Sequence, residues 1–166
     1  MQICGKCQQE KIGLNGRQFP YHSEGCPIGN FVRPTKERWL MEMAEHVATR
    51  SNWLGMKVGC VVARDGRIIS TGYNGTPRGW YNDLARGAKA FYCHSEENSI
   101  VNAARYGISL EGCTFYITVS PCTPCARMMV NVGAKSIIYK ELWDEHDPMV
   151  GQMLNDLGIG FERHEG

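Results

Sequence analysis

The sequence predicts an α/β fold in three layers, a mixed five-stranded sheet with helices on both faces, preceded by a small N-terminal extension. Three observations carry that expectation. Two β-rich runs, 58–64 and 67–73, are separated by Asp65-Gly66, a strong short-range signal for a hairpin of antiparallel strands. From residue 114 onward strand-like and helix-like segments alternate, which implies parallel strands joined by helical crossovers. A chain of 166 residues, 43% hydrophobic and 21% charged, is large enough for one core and too small for two full domains. The chain is therefore divided into an extension and linker over 1–33 and one core domain over 34–166.

The extension opens with Cys4-Gly5-Lys6-Cys7, followed by His22 and Cys26. C-x2-C, a loop of fourteen residues and H-x3-C supply four donors that close a tetrahedron and leave no open position, which marks a structural zinc. Residues 8–30 are rich in Gly, Gln, Asn and Pro and lack apolar periodicity, so metal binding would supply most of the ordering free energy. The alternatives are a tail with free thiols or a site completed by another subunit. Residues 28–34 read as a connection, and Thr35 as the N-cap of a helix that runs to about Arg50. Its apolar face is expected at Trp39, Leu40, Met43 and Val47; His46, with no ligand partner at suitable spacing, reads as an ordinary histidine.

After the hairpin comes the turn-rich loop 74–79, whose Gly and Pro follow from turn chemistry while Asn74 and Arg78 do not. Residues 80–92 mix aromatic and basic side chains, Trp80, Tyr81, Arg86, Lys89, Phe91 and Tyr92. They read either as a polar loop with some packed aromatics or as a lid or wall for a planar anionic ligand. A helix is expected over 95–106, stopped by Gly107, and a third strand over 114–119. Pro121 stands at or just before a helix with body 126–132, closed by Gly133. A fourth strand over 136–139, a helix over 148–157 ended by Gly158, and an edge strand over 159–163 complete the chain.

Two stretches carry chemistry. His94-Ser95-Glu96 and Pro121-Cys122-Thr123-Pro124-Cys125 spell H-x-E followed by P-C-x-x-C, the pattern of the zinc-dependent nucleobase deaminases. One imidazole and two thiolates give a catalytic zinc three ligands and leave a fourth position for water. Glu96, two residues beyond His94 on the first helical turn, can lie beside that water without ligating the metal. Both halves sit at helix starts, whose positive dipole ends favour the thiolate forms of Cys122 and Cys125. A lone C-x-x-C would equally suit a redox pair or a structural zinc; H-x-E upstream favours the catalytic reading.

Of the eight cysteines, five are thereby assigned to metals, and Cys60, Cys93 and Cys113 read as buried small side chains. A net charge of +1 argues against a protein that grips long nucleic acid electrostatically. There is no long apolar run and no signal-peptide pattern, so neither a membrane partner nor export is expected, and the cytoplasm is the expected compartment.

Gly72-Tyr73-Asn74-Gly75-Thr76-Pro77-Arg78-Gly79, His94-Ser95-Glu96, residues 111–118 and Pro121-Cys122-Thr123-Pro124-Cys125 together resemble the deoxycytidylate deaminase family, over roughly residues 36–163. The resemblance implies the five-stranded cytidine-deaminase fold, a deoxycytidine nucleotide as substrate, most simply dCMP converted to dUMP, a homo-oligomer that is hexameric in many members, and regulation by dCTP and dTTP. It makes His94, Cys122 and Cys125 the catalytic zinc ligands and Glu96 the proton shuttle. Asn74 then matches a sugar contact, Arg78 a position near phosphate or effector, and Ser95 a residue beside the base. The chain departs from the family at Ser95, where Ala is usual; at Trp80-Tyr81-Asn82-Asp83, where many relatives carry a His-Cys pair; and at Trp143-Asp144, where some have an aromatic residue followed by Arg. Competing expectations are a deaminase of another cytosine substrate, such as dCTP, 5-substituted dCMP or single-stranded nucleic acid, and a zinc module without catalysis, which would not need Glu96.

Overall fold

A computed structural model describes residues 33–80 and 91–165. The chain divides into two compact units, Met1–Thr35 and Lys36–Gly166, and every helix and strand below belongs to the second. The N-terminal motif of Cys4, Cys7, His22 and Cys26 lies outside the described residues.

The elements follow in the order α1 (Lys36–Ala48), β1 (Gly59–Arg64), β2 (Arg67–Tyr73), α2 (Ser95–Arg105), β3 (Thr114–Val119), α3 (Thr123–Asn131), β4 (Ser136–Glu141), α4 (Pro148–Asp156) and β5 (Gly160–Arg163). They build one five-stranded sheet in the order β2-β1-β3-β4-β5. β1 runs antiparallel to both neighbours, while β3, β4 and β5 are parallel. The hairpin turn is the two-residue loop the sequence predicts: Asp65 and Gly66 both have positive φ, 53° and 71°, between paired Arg64 and Arg67. Within the hairpin Val62 pairs with Ser70 but Ala63 with Ile68, leaving Ile69 as an extra residue, a β-bulge.

Alternation along the strands divides the core into two layers. Cys60, Val62, Phe115, Ile117 and Ile137 face a cluster that includes Ala103 of α2, Met129 of α3 and Leu154 of α4. Val61, Ala63, Tyr116 and Ile138 face Leu40, Met41 and Ala44 of α1. Covered on both faces, β1 and β3 are buried almost throughout, which is why they read as continuous apolar runs.

One expectation needs correction. The buried face of α1 is Leu40, Met41, Ala44 and Ala48, while Trp39 is 38% exposed and Met43 and Val47 sit at the margin. The reason lies in β1: a Cβ on Gly59 would overlap the Ala44 carbonyl and the Ala48 backbone. The helix presses its small residues onto a bare strand backbone, and the large side chains flank the contact.

β1 is antiparallel to both β2 and β3, so the carboxyl ends of β2, β3 and β4 share one rim with the entrance to β1. That rim is where the site forms, as in open α/β sheets generally.

Candidate active site

Each half of the motif is fixed by short local rules. His94 is the N-cap of α2, with extended backbone, and its N–H donates to the Glu97 carboxylate at 3.3 Å, the return half of a capping box. α2 is seated on β2 through Gly72, where a Cβ would collide with the Ser95 carbonyl and the Ser99 amide. Side chains complete the seat: Ser70 Oγ donates to the Ser99 carbonyl (2.7 Å), Asn98 Nδ2 to the Tyr73 carbonyl (2.8 Å) and Asn102 Nδ2 to the Thr71 carbonyl (2.9 Å). The helix start is thereby tied to an edge strand. Cys122 is the N-cap of α3, and Pro124 in its first turn needs no amide partner there. Thr123 Oγ1 donates to Asp147 (3.2 Å), which also caps α4 by accepting from the Met149 amide.

The two starts converge. His94 Nδ1 lies 3.4 Å from Cys122 Sγ and 3.5 Å from Cys125 Sγ. All three donor atoms fall within 4.8 Å of one another. Zinc bonds to sulfur and nitrogen of ordinary length, at a tetrahedral angle, put N and S roughly 3.5 Å apart, so the set fits a zinc ion. Its proton chemistry fits as well. Cys125 is placed to hydrogen-bond to Cys122, and chiefly for that reason the Cys122 thiol is pushed down to about 4 while that of Cys125 is pushed up. The same neighbour, Cys122, raises the proton affinity of His94. Two sulfurs that hold one proton between them and lean on an imidazole become three ligands when a dication takes the place of the protons.

Glu96 stands outside that ligand set. Its carboxyl is 4% exposed, and burial pushes its pKa above the ordinary carboxylate range, opposed by its own backbone N–H, by the Ser95 hydroxyl and by His94. His94, Ser95, Glu96 and Cys122 line a cavity of about 120 Å³, walled further by Met56, Val58, Asn74, Val119, Ser120 and Trp143. Pockets that enclose a whole small molecule are typically about 300–1,000 Å³. This one is sized for the reacting end of a ligand.

The structure treats the remaining sequence candidates differently. Asn74 lines the cavity, but its amide also anchors the segment before β1: Oδ1 accepts from the Val58 amide (2.9 Å) and Nδ2 donates to the Met56 carbonyl (3.0 Å). One N–H and one lone pair of that amide are left for a ligand. Ser95 lines the cavity with its hydroxyl bonded to Glu96. Arg78 is exposed and is not among the lining residues. Met56, Val58, Val119 and Ser120 escape a sequence reading, since each looks like strand or loop. Only Ser120, next to the P-C-x-x-C motif, carried a signal by adjacency. It accepts from the Trp143 amide (2.9 Å) and so holds Trp143 at the wall.

Two thiols and an imidazole close enough to hold one zinc ion, at a cavity that a buried acid also lines, are the arrangement of the zinc-dependent hydrolytic deaminases. Residues 34–141 match the family model described as the cytidine and deoxycytidylate deaminase zinc-binding region. The deoxycytidylate deaminase of Enterobacteria phage T4 is 32% identical over 168 residues, covering 75% of this chain and 87% of that one. That of Pongo abelii is 30% identical over 139 residues, covering 75% and 77%. The dCMP deaminase of cyanophage S-TIM5, solved in complex with dCMP and dUMP, superposes with a TM-score of 0.72 at 31% identity, covering 81% of this chain and all of that one. The chain belongs to the cytidine and deoxycytidylate deaminase family.

Proposed function

We propose that this chain hydrolyses dCMP to dUMP and ammonia. The observation that carries the reading is the convergence of His94 Nδ1 with the Cys122 and Cys125 sulfurs beside buried, unligated Glu96. Zinc, held by those three residues, supplies the Lewis acidity that lets water act as a nucleophile near neutral pH. Glu96 accepts a proton from the water that attacks C4 and delivers it to N3 of the cytosine. It then carries the second proton to the departing amine, so that water and cytosine become uracil and ammonia. Its raised proton affinity suits a group that must hold a proton and release it twice in one turnover. Val58, Val119 and Trp143 give a flat ring apolar walls, and the free capacity of Asn74 suits a sugar hydroxyl.

The choice of dCMP rests on the named relatives, whose substrate includes one phosphate. Among the described residues the cavity lining contains no Lys or Arg. We assign the phosphate to Arg78 and to Arg86 and Lys89 of the 80–92 segment, the last two outside the described residues. The same reading includes a structural zinc on Cys4, Cys7, His22 and Cys26 in a 1–33 extension, a homo-oligomer, dCTP and dTTP as effectors, and a cytoplasmic enzyme. No helix among the described residues is long and apolar enough to cross a membrane.

The test is ammonia release from dCMP, dCDP, dCTP, deoxycytidine and a cytosine-bearing oligonucleotide, with Glu96→Gln alongside. dCMP is expected to be the preferred substrate, and E96Q to keep its zinc while turnover falls by about two to four orders of magnitude. Preference for another cytosine compound would change the substrate assignment, and an active E96Q would remove Glu96 from the chemistry.

A further inference from the structure

We propose that Ser95 is a positioning residue for the proton carrier, its hydroxyl fixing the Glu96 carboxylate instead of binding the base. The inference rests on Glu96 being that carrier. Ser95 Oγ lies 2.7 Å from Glu96 Oε2, and the Ser95 side chain is fully buried. The contact is not what a helix provides by default. Successive residues point about 100° apart around the axis, and neighbours in sequence do not face each other. Here both side chains turn toward one cavity, and the short serine reaches back across that angle.

The backbone beneath them is held tightly enough to make the contact directional. The Ser95 carbonyl sits against Gly72, the Glu96 carbonyl accepts from Ser99 Oγ (2.7 Å), and the Ser99 carbonyl accepts from Ser70 Oγ (2.7 Å). With the main chain held at residues 95, 96 and 99, the freedom left to Glu96 is in its side-chain torsions. The Ser95 hydroxyl removes it by pinning Oε2. Together with the backbone N–H of Glu96 itself, that contact holds the carboxylate in one orientation toward the cavity. A hydroxyl has a single hydrogen to donate, and that of Ser95 is committed to Glu96. Toward a base it can only accept.

Three variants test this: Ser95→Ala, Glu96→Gln, and the two combined, each checked for zinc content and thermal unfolding. A loosened carboxylate lowers turnover without touching binding. S95A is therefore expected to keep its zinc, hold KM for dCMP within about twofold and lose about tenfold or more in kcat. In the E96Q background, where no carboxylate remains to be oriented, adding S95A should change the residual rate by less than about twofold. A general packing role would lower both backgrounds alike, and that result overturns the proposal. So does an S95A enzyme with parental kcat, or one whose loss is confined to KM. An active E96Q instead overturns the assignment of Glu96 itself, which separates the two failures.

Discussion

At the scale of single residues, the site works because side chains of ordinary chemistry are placed where they must share protons. Cys122 is half-buried with its thiol pushed down to about 4, whereas burial pushes the thiols of Cys60, Cys93 and Cys113 up. The thiolate is the reactive form. In metal-stripped protein at pH 6, Cys122 should therefore be alkylated first among the cysteines of residues 33–165 by iodoacetamide, and zinc should protect it, as peptide mass spectrometry will show. Asn74 illustrates a residue with two employments. Replacing it with Ala removes bonds to Met56 and Val58, and should lower stability by about 1–3 kcal/mol in denaturant unfolding as well as raising KM. A pure substrate contact would move KM alone.

The element that decides the geometry is α2, and the decisive feature is the strand beneath it. A methyl group on Gly72 would meet the Ser95 carbonyl and the Ser99 amide, both main-chain atoms that cannot rotate away. Gly72→Ala should thus cost about 1–3 kcal/mol and shift the start of α2, with a fall in zinc affinity measurable by chelator competition. Turn chemistry made the elements legible: Asp65-Gly66, Gly107, Gly133 and Gly158 have positive φ where the chain turns or helices end, and expected and observed ends agree to within two or three residues. The inward face of α1 was not legible. Periodicity in the apolar residues favours Trp39 and Met43, but the strand offers a glycine, and close approach at Gly59 selects Ala44 and Ala48.

At the scale of the molecule, the sheet order brings distant segments to one rim. Val58 precedes β1, Asn74 follows β2, Cys122 follows β3 and Trp143 follows β4, and all four line one cavity because of how β1 lies between β2 and β3. The core cluster that supports this arrangement joins α2, α3 and α4 to the sheet. Leu154 of α4 is fully buried in it. Leu154→Ala should cost about 2–5 kcal/mol in denaturant unfolding while the folded fraction retains its kcat, because the cavity it leaves is among core side chains and not at the rim.

The sequence alone displayed the metal-ligand pattern and the order of elements. His94, Glu96, Cys122 and Cys125 are recognisable because a three-ligand zinc with a nearby acid constrains residue type and spacing on two helix starts, and turns announce themselves through Gly, Pro and Asp. Tertiary structure alone decided what surrounds that chemistry. Whether Asn74 braces a loop, whether the Ser95 hydroxyl reaches a base or a carboxylate, and which side of α1 is buried depend on contacts between segments far apart in the chain or on a torsion locked by packing. Such contacts leave no local periodicity for a sequence to display.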